Sequence, residues 1–301
     1  MPQQAPPVAA QEPPTGAPED APPTTTPQNR LMYETRDVAR LNPKGLQIEL
    51  IGSYRRRLSD SDALLWRDTF VDVGAILGVT PAFGKAGAVV RVRPLAVLEL
   101  GAQYEWLTYF GTFGFFQSFP SAAGDFSDPE LARRSKDDKL SYKTSGTQLT
   151  LSGLLQAKLG KIAVRNNARF YRFDMKTHSD DPAFYDMIID LLVPNHGWAM
   201  TNDLDVVYMS DTGLTAGIRY TASRALYRGA ADRKTDAGAA THRAGPLAAY
   251  TFFDEPGGRF NKPSVFVASA WWLAHPYRAG KVSSQAFPCL VLGFAAQGDL
   301  L

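Results

Sequence analysis

Cysteine is nearly absent from this 301-residue chain, with Cys289 standing alone. A lone cysteine excludes an internal disulfide framework and a multi-cysteine metal site. It sits in the apolar run FPCLVLGF, where a small packing residue is the expected role. Long hydrophobic runs are missing too. No window of about 18 apolar residues occurs, so no transmembrane helix is predicted. Charge of one sign is scarce as well: the formal net charge is +2, which calls for neither nucleic acid nor an acidic partner in bulk. Residues 1–30 lack the basic start and the apolar core of a secretory signal. An exported form would then carry a signal that has been removed or that lies upstream.

What the chain does have is aromatic and apolar residues in alternation. Hydrophobic residues make up 45% and aromatics 11%, with 17 Phe and 12 Tyr, a supply that suits strands better than helical bundles. Residues 1–42 open as MPQQAPPVAAQEPPTGAPEDAPPTTTPQNR. A segment this rich in Pro, Gln and Thr buries too little apolar surface to offset its chain entropy and is expected to be a disordered tail. From residue 43 the pattern changes. TQLTLSGLLQAKLGK (147–161) places Leu149, Leu151, Leu155 and Leu159 on one face and Gln148, Thr150, Ser152, Gln156 and Lys158 on the other. The same two-faced pattern recurs in GLQIELIGSYRRR (45–57), FVDVGAILGV (70–79), AVLELGAQYEW (96–106) and GLTAGIRYTAS (213–223). Further strands are expected at 84–93, 161–174, 198–209, 240–253, 263–275 and 287–298. Short connections alternate with long ones at 110–143, 176–197 and 226–241. FYDMIIDLL (184–192) has the spacing of a short helix within a loop.

Strands with one apolar face fit two architectures. A soluble barrel or sandwich turns that face inward, whereas an outer-membrane barrel turns it to lipid and lines its lumen with the polar face. The polar face here is rich in Gly, Thr, Ser and Gln with charges of both signs. Aromatics cluster near strand ends on the apolar face: Tyr104, Trp106, Trp198, Tyr208, Tyr220 and Trp271–Trp272, as interfacial girdles do. Both features favour the membrane barrel. In TQLTLSGLLQAKLGK, VRVRPLAVLELGAQYEW and CLVLGFAAQGDLL the chain resembles the bacterial outer-membrane β-barrel proteins as a broad class, over about residues 45–301 of a barrel domain expected at 43–301. The resemblance implies an all-β, antiparallel up-and-down barrel in the outer membrane, with the lipid bilayer, the barrel-insertion machinery and small polar solutes as partners. Such barrels usually end in an aromatic residue, whereas this chain ends in Leu301 with Phe294 as the nearest aromatic on the apolar face. Eleven strands are counted, and an even number is required. Either 84–107 is one strand despite Pro94, giving ten, or one strand is missing, giving twelve.

The predicted lumen residues are Arg91, Arg93, Glu99, Gln103, Glu105, Arg165, Arg169, Asp203, Asp205 and Arg219. Two readings stand: a salt-bridge network filling a narrow interior, or a charged constriction that selects solutes by sign. The functional expectation is accordingly a narrow passive channel or small-solute uptake pore. The alternative is a non-conducting barrel that displays its loops, and a lipid- or peptide-processing enzyme ranks third. No catalytic, cofactor or metal residues are nominated. Asp60 and Asp62 lack a histidine at matching spacing, and His178, Asp180, Asp181 and His196 read as a solvated polar loop rather than ligands. The aromatic run WLTYFGTFGFFQSF (106–119) is expected in the barrel mouth, in the outer leaflet or on a partner surface.

Overall fold

Alternation at period two dictates strands with two unlike faces, and in the computed structural model those strands close on themselves. Residues 27–61, 63–66, 68–227 and 240–300 are described. Twelve long strands form the wall: β1 (Asn29–Leu41), β2 (Gly45–Arg57), β3 (Phe70–Val79), β4 (Phe83–Leu95), β5 (Leu98–Tyr109), β7 (Thr144–Leu159), β8 (Ile162–Met175), β11 (Trp198–Met209), β12 (Leu214–Leu226), β13 (Ala240–Thr251), β14 (Asn261–Ala274) and β15 (Cys289–Asp299). Each pairs antiparallel with its neighbour in this order, and β1 pairs with β15, so the barrel has no free edge. Three short strands, β6 (Ser118–Phe119), β9 (Ala183–Asp186) and β10 (Leu191–Pro194), form a separate sheet in the loops.

Twelve is the count reached by adding a strand, and the added strand is β1. It corrects the expected tail, because residues 29–41 are not disordered but run as NRLMYETRDVARL against both β2 and β15. Polar residues hide its period: Thr35 and Asp37 interrupt the outward face formed by Leu31, Tyr33, Ala39 and Leu41. Residues 1–26 lie outside the described residues. Pro94 sits at the end of β4, where the β4–β5 register shifts between Val92 and Leu95, a place where a missing ladder donor costs little.

The polarity is inverted relative to a soluble protein. Leu46, Ile48, Leu50 and Tyr54 on β2 are exposed on the outer wall, while Gln47, Glu49 and Ser53 between them are buried. On β7, Leu155 is 59% exposed, whereas Glu105 on the neighbouring strand β5 is 0% exposed. Trp271 stands on the outer wall as expected, but Trp272 does not: it turns inward and is buried. Consecutive residues of a strand cannot share a face, so only one of the pair belongs to the girdle.

The two ends differ. Tight connections at 96–97, 160–161 and 210–213, together with 58–69 and 252–260, lie at the end from which β1 starts. At the opposite end lie 110–143, 176–197 and 275–288, with two tight turns at 42–44 and 80–82. Short periplasmic turns and longer extracellular loops are the pattern of outer-membrane barrels. The long-loop end corresponds to the extracellular end of that pattern. Loop 110–143 carries the helix α1 (Asp128–Arg134). The stretch 184–192 is not the expected helix but a β9–β10 hairpin. Asp186 decides this: its Oδ1 accepts the N–H groups of Ile188 and Ile189 at 2.8 Å each. Asp190, with φ of 58°, then turns the chain back.

Candidate functional site

All ten predicted lumen residues face the interior, and register decides how they meet. Asp72 on β3 lies directly opposite Arg55 on β2 and Arg91 on β4. Arg55 reaches it at 2.6 Å and Arg91 at 2.8 Å. Arg91 also binds Glu34 on β1 at 2.7 Å. Lys85 bridges Glu49 and Glu105 at 2.8 Å each, and Arg93 binds Glu99 at 2.6 Å. Gln103 is buried beside this network. On the β1–β5 wall the cations Arg36, Arg55, Lys85, Arg91 and Arg93 thus meet the carboxylates Glu34, Glu49, Asp72, Glu99 and Glu105, while Arg40, also inward on β1, donates to backbone carbonyls instead.

A second rung of the same design stands across the lumen. Asp205 on β11 lies opposite Arg165 on β8 and Arg219 on β12, which reach it at 2.5 and 2.6 Å. Asp203, two residues along, accepts from Arg169 at 2.8 Å and from the Thr221 hydroxyl at 2.6 Å. Its rung continues through Thr221 to Arg243 and Trp272, and the Arg243 guanidinium lies over the Trp272 ring at 5.2 Å. Sequence reasoning missed Glu34, Lys85 and Arg243. The inward periodicity of β4 and β13 marks the last two, whereas Glu34 was hidden in the expected tail.

The interior is not polar throughout. Ile51, Ile76 and Val89 form an inward apolar cluster, and Trp272, Leu247, Ala268, Cys289 and Val291 form another on β13–β15. A cavity of about 10 Å³ among Gln47, Lys85, Gln103, Glu105, Thr150 and Asp186 is room for about one water.

The mouth at the long-loop end is covered. Phe116, Phe119, Phe126, Phe184, Ile189 and Leu191 from loops 110–143 and 176–197 pack with Tyr109, Tyr171 and Phe173 of the wall into one apolar core. Phe116 stacks on Phe184 with centroids 4.9 Å apart. The aromatic run divides: Phe116 and Phe119 enter this plug, while Trp106, Phe110 and Phe113 stay exposed outside. A buried polar latch fixes the hairpin tip. Arg278, from loop 275–288, donates to Asp190 at 2.6 Å and to both oxygens of Asp128 at 2.8 Å. The Tyr185 hydroxyl donates to Asp190 at 2.7 Å, and the His275 ring lies 3.2 Å from its carboxylate. Burial pushes the Asp190 carboxyl up, but His275 and Arg278 more than offset it and hold the group well below the usual carboxylate range. Arg40 donates to the carbonyls of Met187 and Ile188 from below.

The other histidines are scattered. His178 stacks on Tyr142 with centroids 3.5 Å apart, His196 lies 3.4 Å from Asp174, and His242 meets the Tyr220 hydroxyl at 2.7 Å. Asp181 accepts from Ser118. Asp60 pairs with Arg57, and Asp62 lies outside the described residues. Among the described residues no three His, Cys, Asp or Glu side chains gather at metal-binding distance.

No known protein family's profile matches the chain, and no curated protein does. Among solved structures it is similar to the outer membrane protein OprD from Pseudomonas aeruginosa (10% identity, 92% of this chain and 94% of that one, TM-score 0.32). It is also similar to a Pseudomonas aeruginosa FadL homologue (11%, 90% and 76%, 0.42) and to the β domain of the Bordetella autotransporter BrkA (10%, 90% and 98%, 0.41). The assignment rests on the polarity of the wall instead. A closed, even-stranded barrel that is apolar outside and ionic inside is matched to hydrocarbon around it, and the chain is a twelve-stranded antiparallel β-barrel with the polarity of a transmembrane one.

Proposed function

We propose that the protein is a narrow, charge-lined outer-membrane pore, closed at rest by its extracellular loops. The observation that carries this reading is the ionic interior. Buried ion pairs contribute little net stability compared with apolar packing of the same volume, so two Arg–Asp–Arg rungs and the Lys85 bridge are poorly explained as filler. The plug is a separate layer joined to the wall by apolar contacts and a polar latch, and so it can leave without breaking the barrel. A second reading has its own support. The cavity of about 10 Å³ and the inward apolar clusters suit a non-conducting barrel that displays its loops. Planar-bilayer recording separates the two. The pore reading expects low or gated conductance from the whole chain and steady conductance once loop 110–143 is removed. A folded loop-deleted barrel that stays silent overturns it in favour of display.

A further inference from the structure

Two amides stand on the outer wall, in the midst of apolar side chains. Asn166 on β8 lies between Arg165 and Asn167, and Asn202 on β11 between Thr201 and Asp203. All four of those neighbours are buried inside the barrel, so both amides point outward. Neither lies at a rim: Asn166 is the fifth of the 14 residues of β8, and Asn202 the fifth of the 12 of β11. Val164, Leu155, Leu204 and Phe170 surround them on the same face and are exposed. The side chains bond each other, Asn166 Nδ2 donating to Asn202 Oδ1 at 2.8 Å and Asn202 Nδ2 to Asn166 Oδ1 at 3.1 Å. An amide has two N–H donors and two carbonyl lone pairs, so this exchange leaves a donor and an acceptor on each. Neither side chain has another partner among the described residues.

Register sets small residues beside the amides. Gly153, Ala168, Asn202 and Ala222 lie directly opposite one another across β7, β8, β11 and β12, all on the outer face, so the wall is low there. Hydrocarbon offers an amide no hydrogen bond. Segments within a membrane associate through small residues that let backbones approach and through polar side chains that bond across the contact. The geometry points to this face as the contact between two copies of the barrel. Symmetry selects a second copy as the occupant. Both copies insert the same way up, so their two-fold axis stands along the membrane normal and each group meets groups at its own depth. An amide is its own complement, donor to acceptor and acceptor to donor. Asp37, which also faces outward on β1, is not: it would meet its like and repel, and its cross-strand neighbours are the bulky Ile48 and Phe294. The contact rests on the wall's facing lipid and not on conduction.

The test uses the full chain, refolded in detergent and taken to sedimentation equilibrium in a density-matched buffer. A reversible monomer–dimer equilibrium is expected. Asn166→Leu and Asn202→Leu should each weaken it by about 3- to 30-fold, the range spanned by hydrogen bonds between membrane segments. Ala168→Trp fills the low row and should abolish the dimer. Leu50→Ala, on β2 across the barrel, should dimerise as the wild type does. All these changes keep the outer wall apolar, and heat-modifiable migration on a gel checks that each barrel is folded. Ala222→Trp stands in for any variant that is not. A folded wild type that stays monomeric at every loading overturns the contact. So does a dimer of unchanged affinity in the folded Asn202→Leu and tryptophan variants, which would put the contact elsewhere on the wall. Conductance is not read here, so failure of this contact and failure of the pore are told apart.

Discussion

A single side chain on this barrel has its solvent chosen by the parity of its number. Leu151 and Ser152 are neighbours, yet the first faces outward, 40% exposed, and the second points toward Arg169 across the ladder. Leu151→Arg should therefore cost about 2–4 kcal/mol if it lies near the bilayer midplane, measured as urea stability of the barrel refolded into lipid vesicles. A soluble barrel would lose far less at the same position, because an arginine on a wetted strand face is tolerated. Parity was legible from sequence wherever one face was uniformly apolar, which is why all ten lumen residues were placed. It failed for Trp272, where two adjacent aromatics were assigned to one face.

Elements were legible in proportion to how far hydrophobic alternation dictated them. Eleven wall strands carry it plainly. β1 does not, since its outward Thr35 and Asp37 and its Pro-rich neighbour make it read as tail. The β9–β10 hairpin was also missed: MIID has helical spacing, but side-chain acceptance by Asp186 and the left-handed Asp190 override it. Which charges pair across strands needs register, and spacing along one strand does not supply it. The hairpin makes its own prediction. Asp190 has a carboxyl held below its ordinary value of 3.8, so its contribution to docking is complete above that value and is lost as pH falls below it. Protease nicking within 176–197 should rise below about pH 4. Asp190→Asn should flatten this dependence and loosen docking at neutral pH by about 1–3 kcal/mol.

The whole molecule is held shut by its first and last wall strands, for the wall closes where β1 meets β15 from Met32–Asp299 to Leu41–Leu290. That seam makes the structure obligately circular. Any species lacking one strand presents two open edges to hydrocarbon, where each unpaired backbone group costs several kcal/mol. A smaller barrel is not the fallback, because with eleven up-and-down strands the closing pair would run parallel instead of antiparallel. Deleting residues 29–41 should thus abolish heat-modifiable insertion outright rather than yield a weakened barrel. A synthetic peptide of that stretch, supplied during refolding, should restore it. Native migration of the truncated chain alone would refute this. Completion is then a single event that waits for both β1 and β15, and the last strand delivered acts as the clasp of a ring.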